Sequence, residues 1–510
     1  MNKRTFVKNT AVMTITSLLL RTLGIVFRVF ISNRVGAEGM GLYQLVFSVY
    51  VLGTTFAAAG IVTAVTRMVA EQIARGTPVN VRRVMRLSMG LCVLIGTLSA
   101  AILYFGAPTI GGWVGDARTV PALAVSGLAL PFIGVASCVK GYFMARRRAM
   151  PPCISQIFEQ AVRIGSILWM LHAAGDCSLA EACLIIIVGD AISETAACLF
   201  LLVAYRLDLH KITIRRTATL PYRTLLRTML GIATPLTAGR YLSTALRTVE
   251  NILVPARLTL FTHSDALSLE QFGAVKGMAL PLLFFPAAFL VTVSGLLLPE
   301  LSDAHALGQK RQVTCLTEQA MHITWLGSVL IGCLFTVLGR PLGNLLYGDD
   351  TVGLLLQILG PLTPVMYLDS VATGMLKGIN EQVHSLWYSV ADSTVRITLI
   401  WLLLQRFGIT GFLFVMLVSN LLTCILSTHR LLTQSETKMQ WMHWVLYPTL
   451  IAVLVGGGWT ALGQVIPLPS GWMSIIAGVV FISVAYLLLL PLFGCFTAED
   501  LKALTRRKRV

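Results

Sequence analysis

The sequence predicts an all-α polytopic membrane protein with about fourteen transmembrane helices. We expect two six-helix lobes, related as parallel repeats around a central cavity, and two further C-terminal helices. Composition is the first reason, because 56% of the 510 residues are apolar, 12% are charged, and the mean hydropathy is +0.78. The second is that apolar runs of about 20 residues, the length that crosses a bilayer, recur from end to end. The third is a weak internal repeat that places charged residues at equivalent positions in two halves.

Each predicted span is an apolar run of helical length between polar segments. The first run is interrupted by Arg21 and is followed by no small-residue cleavage site. We therefore predict that it is a retained first helix rather than a signal peptide. The predicted spans lie near residues 9–31, 42–66, 87–107, 119–142, 154–172, 182–205, 228–250, 277–298, 319–339, 353–376, 385–405, 408–428, 441–463 and 471–494.

Basic residues orient these spans. With the N-terminus inside, 28 of the 40 Lys and Arg residues fall in cytoplasmic segments, and only six fall in the outer loops. The positive-inside rule therefore predicts a multi-pass protein of the cell membrane with both termini cytoplasmic. Orientation and anionic headgroups also account for the net charge of +17, so nucleic acid is not expected as a partner.

An internal repeat predicts the domain organisation. Residues 131–164 align without gaps over 364–397, and charged positions inside the spans recur in both halves. Because each repeat has six helices, an even number, both halves enter the membrane in the same direction. The predicted segments are an N-terminal lobe at 1–210, a basic cytoplasmic linker at 211–227, a C-terminal lobe at 228–430, and two last helices with a basic cytoplasmic tail at 431–510.

Four arginines inside the spans are the candidate substrate-binding residues. Arg21 and Arg28 in helix one recur as Arg240 and Arg247 in helix seven, with the same seven-residue spacing. An arginine at mid-bilayer costs about 2.5–3.5 kcal/mol on insertion scales, so its retention indicates a function. Guanidinium groups bind phosphate oxygens bidentately, which predicts an anionic, phosphorylated substrate. Both arginine pairs lie in polar stripes that we expect to face the cleft between the lobes, together with Thr10, Thr14, Ser17 and Gly24 on helix one and Thr237, Thr244 and Asn251 on helix seven.

The alternative is that these arginines pair with acids on other helices. Asp190, Glu194, Glu250 and Asp369 are intramembrane acids without a clear local base, although Glu250 lies three residues after Arg247. Six arginines and six acids fall within the spans, so full internal neutralisation is arithmetically possible. This alternative makes the arginines structural.

The remaining charges within spans have other predicted roles. Asp190 and Glu194 are like charges on one helix face, and they are candidates for coupling transport to protons or sodium. An acid four residues before a base lets each side chain neutralise the other within one helix. Two such pairs are predicted to be structural: Glu159 with Arg163, and Asp392 with Arg396.

The sequence carries no signature of catalysis or of a cofactor. Its ten cysteines are scattered singly without a CxxC pair, and its eight histidines are dispersed. Neither a disulfide framework nor a metal site is therefore predicted, and no other cofactor is expected. No segment between spans is long enough for a soluble catalytic domain, and no clustered set of acid and base residues is visible. The chain is predicted not to be an enzyme.

The N-terminal region carries a family resemblance. LLLRTLG at 18–24, GAEGMGLYQLV at 36–46, AVTRMVAE at 64–71 and PFIGVASCVKGYFMA at 131–145 are the segments that carry it. They resemble the polysaccharide-biosynthesis transporters of the multidrug/oligosaccharidyl-lipid/polysaccharide (MOP) superfamily. The resemblance is closest to the stage V sporulation protein B branch, which is related to the lipid II flippase.

The resemblance implies a mechanism and its partners. It implies two lobes that open alternately to either side and pass the sugar-diphosphate head of a polyprenyl lipid through a cationic cavity. The four intramembrane arginines fit the cavity arginines expected in this family. The implied partners are a lipid-linked oligosaccharide diphosphate as substrate, membrane lipids, and cell-wall synthesis enzymes. The family pattern has a proline after Ile61, where this chain has Val62, and this departure puts the gating geometry near that helix end in question.

Two other functions stay open. A cation-coupled drug exporter of the same superfamily would use the same architecture with an acidic cavity, so the sign of the cavity charge distinguishes the two. A non-transporting membrane scaffold for cell-wall synthesis would not need unpaired charge inside the membrane.

Overall fold

The computed structural model describes residues 3–58, 60–175, 177–209, 220–437, 439–465 and 471–495. In these ranges every regular element is a helix, which confirms the predicted all-α class. A helix satisfies its backbone N–H and C=O groups within one segment, and hydrocarbon offers those groups no other partner. The first part of the predicted linker, to residue 219, and the predicted basic tail from residue 496 lie outside the described residues.

The chain forms two compact units, of which the first comprises the described residues up to Gly273 together with Ile400–Gly408. Fully buried side chains from four of its helices form a core, among them Val65, Met85, Tyr142 and Leu201. The helices of this unit are α1 (Lys3–Ala58), α2 (Ile61–Ala74), α3 (Pro78–Val114), α4 (Val120–Gly127), α5 (Leu130–Ala145), α6 (Met150–Ala174), α7 (Leu179–Leu209), α8 (Tyr222–Thr262) and α9 (Asp265–Phe272).

The second unit comprises Ala274–Leu399 and the described residues from Ile409 onward. Two short π-helical segments, Gly273–Ala279 and Met442–Leu446, precede two of its helices. The helices are α10 (Leu280–Ala306), α11 (Lys310–Tyr347), α12 (Asp350–Leu359), α13 (Thr363–Gly378), α14 (Gln382–Gln434), α15 (Tyr447–Val465) and α16 (Trp472–Leu492).

The compact units and the predicted lobes divide the chain differently. Packing groups α8 with the first unit, whereas the repeat begins the second lobe at residue 228. The predicted lobes follow the repeat of helices along the chain, whereas the compact units group helices that pack against each other. The predicted lobe boundaries at 1–210 and 228–430 therefore stay a prediction.

The two longest helices are each long enough to hold two membrane crossings. α1 has 56 residues and α14 has 53, which corresponds to about 80 Å at 1.5 Å per residue, against about 30 Å of hydrocarbon. Each is broken at one glycine, Gly36 with φ 69° and Gly408 with φ 55°. Nine helices of the described part are long and apolar enough to cross a membrane, or ten if the bent pair Ala117–Gly127 and Leu130–Ala145 is one span. The count of fourteen stays a prediction.

Backbone conformation repeats along the chain with an offset of 233 residues. This is the offset of the predicted alignment, and α5 and α13 begin and end at positions related by it. Positive φ values are rare in L-residues, so their recurrence at matched positions is a specific signature of common structure. Three matched pairs have positive φ: Gly115 and Gly348, Arg147 and Asn380, and Gly175 and Gly408.

The capping groups follow the same register. Asp116 and Asp349 stand at the N-termini of equivalent segments, and each carboxylate accepts a hydrogen bond from the backbone N–H two residues later, at 2.8 and 2.7 Å. Pro108 inside α3 matches Pro341 inside α11. The weak sequence repeat therefore reflects a common fold of the two halves over these residues.

The last two helices pack within the second unit. Trp459 of α15 and Ile482 of α16 are buried together with α11 residues. The hydroxyl group of Tyr486 donates a hydrogen bond to the carbonyl oxygen of Leu326 at 3.2 Å.

The helix break near Val62 is made by a glycine. Gly60 has φ 75° and separates α1 from α2, so the break forms although Val62 replaces the proline of the family pattern. A Cβ atom on Gly60 would lie 2.3 Å from the Thr237 Oγ1 atom and 2.8 Å from the Ala233 carbonyl oxygen. Glycine is therefore required here both for its backbone conformation and for the close approach of α8.

Candidate functional site

Arg163 of α6 is at the centre of a charged cluster in the first unit. Its Nη2 atom lies 3.0 Å from the Glu159 Oε1 atom on the same helix, as the predicted pair requires. Its Nε atom lies 2.8 Å from the Asp190 Oδ1 atom of α7, and its Nη2 atom lies 3.8 Å from the Glu194 Oε1 atom. One guanidinium group therefore contacts three carboxylates, and the pair that looked local in the sequence belongs to a network across two helices.

Further polar side chains surround this cluster. Arg28 of α1 lies close enough to Asp190 for their charges to interact, and Tyr43 is within hydrogen-bonding reach of the same carboxylate. Lys140 of α5 interacts electrostatically with Glu194. Four helices of the first unit thus bring charged groups to one region.

A polar cavity of about 350 Å³ opens beside the cluster. Arg21 of α1 lines it together with Ser17, so this part of the predicted helix-one stripe does face open space. The sequence predicts Arg21 as an anion ligand, Glu159 as a structural partner and Glu194 as an ion-coupling residue. The structure places them around one cavity, whose lining comprises Ser17, Leu20, Arg21, Lys140, Gln156, Glu159, Gln160 and Glu194.

Three of these lining residues were missed by sequence analysis. Lys140, Gln156 and Gln160 are not among the site residues that the sequence predicts. A signal for the glutamines was present, because they share a helix face with Glu159 and Arg163 at spacings of three, four and seven residues. No local pattern marks Lys140, since only the fold brings α5 beside α7.

The polar stripe of α8 is divided between two environments. The Asn251 Nδ2 group donates a hydrogen bond to Ser48 Oγ of α1 at 2.9 Å, and the hydroxyl of Thr244 lies 3.5 Å from that of Thr55. These members of the stripe therefore contact protein within the first unit. Arg240 and Arg247 are exposed instead.

Internal neutralisation accounts for only part of the arginine set. Arg21, Arg240 and Arg247 make no ion pair or hydrogen bond within the described ranges, whereas Arg28 has Asp190 nearby. Asp190 and Glu194, two of the acids proposed as partners, instead contact Arg163.

The second unit repeats the helical pair of an acid and an arginine. The Arg396 Nη2 atom lies 3.5 Å from the Asp392 Oδ2 atom, so the second predicted pair is also in contact. The Arg396 guanidinium donates two hydrogen bonds to the hydroxyl of Ser419, at 2.9 and 2.6 Å. Asp392 and Ser419 are thus among the partners of Arg396, as Glu159, Asp190 and Glu194 are among those of Arg163.

No metal cluster is found in the part of the chain that the structure describes. There, no group of three or more His, Cys, Asp or Glu side chains has the geometry to hold a metal ion. All ten cysteines are free thiols, and most are buried.

The fold and the charged cluster define a class of protein. Apolar helices, a backbone register shared by two halves, and charged groups around a polar cavity between helices are the features of a multi-pass membrane transporter built from an internal repeat. Residues 6–305 match the family described as polysaccharide biosynthesis protein. Because the match covers more than half of the chain, the chain belongs to this family, as the N-terminal motifs predicted.

Individual relatives agree with this assignment. The chain is 24% identical to stage V sporulation protein B of Bacillus subtilis (strain 168) over 510 residues, covering 98% of both chains. It is 29% identical to the lipid II flippase MurJ of the same organism over 166 residues, which are 31% of this chain and 30% of that one. The inward closed structure of lipid II flippase MurJ covers 94% of this chain and 98% of its own, with a TM-score of 0.73 and 13% identity. That likeness shows the fold.

Proposed function

We propose that this protein flips a polyprenyl-diphosphate-linked saccharide across the cytoplasmic membrane by alternating access. The saccharide is a peptidoglycan precursor or another cell-envelope polysaccharide unit. The observation that carries the proposal is that Arg21, Arg240 and Arg247 make no ion pair within the described residues, although each lies on a helix of an apolar membrane protein. The name of one relative, the lipid II flippase MurJ, points to the same substrate class.

The chemistry of the arginines suits a diphosphate. A guanidinium group presents parallel N–H donors that match two phosphate oxygens, and such contacts are strengthened where water is scarce. Arg21 and Arg28 are two helical turns apart, about 10.5 Å along the axis, and so are Arg240 and Arg247. Each helix thus presents two guanidinium groups on one helix face to an extended anionic group.

Substrate binding would also drive the conformational cycle. Like charges brought together repel each other, and an anion bound between them relieves that repulsion. A ligand shifts a conformational equilibrium only by its differential affinity for the two states. We infer that the diphosphate stabilises the state in which Arg21, Arg28, Arg240 and Arg247 approach one another most closely.

The charged cluster has two roles in this proposal. The pairs Glu159 with Arg163 and Asp392 with Arg396 stabilise their helices, since both recur at equivalent positions. Asp190 and Glu194 stay candidates for proton or sodium coupling, and their contacts with Arg163 give them a structural role as well. Both termini are proposed to be cytoplasmic, and cell-wall synthesis enzymes are proposed partners.

One observation keeps a second candidate open. Glu159 and Glu194 both line the cavity of the first unit, and carboxylates are what a cation exporter of the same superfamily would use. Arg21 and Lys140 line the same cavity, however, and would repel a cationic drug. The scaffold alternative gives no reason for any of these charges.

Native mass spectrometry of the full chain in mixed lipids tests the proposal. The probe is a polyprenyl-diphosphate saccharide, and the variant is Arg21→Gln/Arg240→Gln. We expect wild type to retain the lipid and the variant to lose it while expressing and folding normally. Arg257→Gln on the same helix is the matched control, because Arg257 stacks on the ring of Trp401 at 5.1 Å and lies outside the set. Equal retention by wild type and variant, no retention by either, or a misfolded variant would favour structural arginines.

A further inference from the structure

The cavity of the first unit can be compared with its own counterpart in the second. The offset of 233 residues relates backbone landmarks across both units, so it also identifies the residue that the same scaffold position holds in the other half. A side chain that recurs at matched positions serves the shared fold. A side chain present in only one half has a role particular to that half.

Four long polar side chains at the cavity correspond to short hydroxyl side chains in the second unit. Lys140 and Glu194 correspond to Thr373 and Ser427, whose hydroxyl oxygens lie 3.4 Å apart and keep the same helices in contact without charge. The other two correspondences are Gln156 with Ser389 and Gln160 with Ser393.

The same scaffold therefore accommodates short hydroxyl side chains at these four positions in the second unit, although Gln160 and Glu194 also contact Arg163 in the first. In contrast, the pair Glu159 with Arg163 recurs as Asp392 with Arg396, which is what a structural contact should do. Long polar side chains near the membrane interior carry a desolvation cost, and serine or threonine would hold the helices without it. The long polar side chains of the first-unit cavity are thus an addition to the shared scaffold. Their cost indicates that they bind a ligand.

The lining itself excludes most ligand classes. Glu159 and Glu194 would repel a small inorganic anion, and Arg21 and Lys140 would repel a simple cation. A proton needs neither two glutamines nor a cavity of about 350 Å³, which is within the range of about 300–1,000 Å³ for small-molecule sites. An apolar group would leave the polar lining without partners.

A neutral polyhydroxylated group satisfies every member of the set. Each sugar hydroxyl both donates and accepts hydrogen bonds, so it pairs with carboxylates as donor and with Lys, Arg and amide N–H groups as acceptor. Gln156 and Gln160 offer both functions in one side chain. Arg21 shares the cavity, so a sugar bound there would adjoin the arginine proposed to hold phosphate.

We propose that this cavity is a saccharide-recognition site that binds the sugar attached directly to the diphosphate of the lipid substrate. Lys140, Gln156, Gln160 and Glu194 are its specificity residues. The inference rests on the proposed flippase function and deepens it. It assigns recognition of the sugar to this cavity, whereas the four arginines bind the phosphates.

The test compares two lipids with one difference between them. The probes are undecaprenyl diphosphate and undecaprenyl diphosphate carrying a single N-acetylglucosamine, and dissociation constants are measured for the full chain in lipid nanodiscs. We expect wild type to bind the sugar-bearing lipid at least about tenfold more tightly, since several hydrogen bonds to charged groups are gained.

The variants carry the residues of the second unit, which the same scaffold already accommodates. Lys140→Thr/Glu194→Ser and Gln156→Ser/Gln160→Ser should each reduce the affinity ratio of the two lipids several-fold toward one. Retained binding of the sugar-free lipid would show that the protein is folded. The matched control, Ser389→Ala/Ser393→Ala, should keep the wild-type ratio.

Each contrary result has its own meaning. An unchanged ratio in both variants, an equal loss of affinity for both lipids, or a changed pH dependence with an unchanged ratio would overturn the saccharide site while leaving the flippase proposal standing. A wild-type protein that binds the diphosphate lipid without preferring the sugar would do the same. If wild type binds neither lipid more tightly than phosphatidylcholine, the flippase proposal itself fails, and the saccharide site with it.

Discussion

At the scale of single residues, the two helical arginines of the repeat show how one motif acquires two environments. Arg163 contacts carboxylates from α6 and α7, and Arg396 contacts Asp392 and Ser419, both of α14. Removing a base from buried acids leaves them uncompensated, and the cost grows with the number of acids. The sequence motif is the same in both units, so only the neighbours set this cost.

We predict that Arg163→Gln destabilises the protein more than Arg257→Gln. The first change leaves three carboxylates without their base and should cost about 3 kcal/mol or more, whereas the second removes the stacking of Arg257 on Trp401 and should cost about 1 kcal/mol. Thermal unfolding of both variants under identical detergent conditions measures the difference.

A second-site change checks the cause. Adding Asp190→Asn to Arg163→Gln removes one uncompensated charge and should recover part of the lost stability. Equal melting temperatures for the two single variants, or no recovery in the double variant, would contradict the explanation.

At the scale of helices and turns, backbone breaks and ion-paired ends organise each unit. Gly60 ends α1 in the left-handed region, and α8 passes so close that no side chain fits. Gly76, between α2 and α3, has a similar φ of 68° but open space around it. Comparing substitutions at the two glycines therefore separates the free-energy cost of a positive φ from the cost of a Cβ atom that clashes with its neighbours.

We predict that Gly60→Ala is more destabilising than Gly76→Ala. Both changes place an L-residue at positive φ, which costs about 1 kcal/mol, and only the first also forces Cβ against Thr237 and the Ala233 carbonyl. The Gly60 variant should therefore lose about 1–3 kcal/mol more, measured by thermal unfolding. Equal losses would mean that α8 moves away at little cost.

The turns that precede α6 and α14 are held by ion pairs of opposite polarity. In the first unit Arg148 of the turn lies 2.5 Å from Asp208 at the end of α7. In the second unit Glu381, the equivalent of Arg148, lies 3.1 Å from Arg430 near the end of α14. An ion pair therefore holds each turn, but the two helix partners are not equivalent: Asp208 corresponds to Trp441, and Arg430 lies eleven residues before it.

A double-mutant cycle on the second turn measures that attraction. Glu381→Arg and Arg430→Glu should each lower the melting temperature, and the exchanged pair should recover much of the loss, with a coupling energy of about 0.5–3 kcal/mol. The exposed pair Lys310 with Glu436, at 2.5 Å, is the matched control and should show a coupling of about 0.5 kcal/mol or less. Similar coupling in the two pairs would show that the turn contact is only a surface salt bridge.

At the scale of the whole molecule, the shared register predicts how the chain is threaded through the membrane. If the two halves are parallel repeats, positions 233 residues apart lie on the same side. Arg147 and Asn380 are exposed positions in one set of turns, and Ala117 and Asp350 are exposed positions in another.

Cysteine labelling in intact cells with a membrane-impermeant maleimide tests the threading. In a background without the native cysteines, Ala117→Cys and Asp350→Cys should react from outside, and Arg147→Cys and Asn380→Cys should react only after permeabilisation. Labelling of two matched positions from opposite sides would contradict parallel repeats and the count of fourteen spans.

The sequence by itself determined the class, the helical architecture, the repeat and the family. These follow from composition, apolar run length and motifs such as GAEGMGLYQLV, which are local properties that need no tertiary contact. It also singled out Glu159, Arg163, Asp190 and Glu194, because an ionised group inside a membrane is costly wherever it lies. The fourteen-span count and the roles of Arg21, Arg28, Arg240 and Arg247 stay predictions.

Only the tertiary structure decided which charges meet. Helical periodicity paired Glu159 with Arg163 but could not place Asp190 or Lys140 beside them, because a contact between helices depends on how each helix rotates and packs against its neighbours. The same limit separated Arg21 from the carboxylates that share its cavity. Spacing along one helix specifies a face, whereas the partner of that face is specified by the packing of the whole unit.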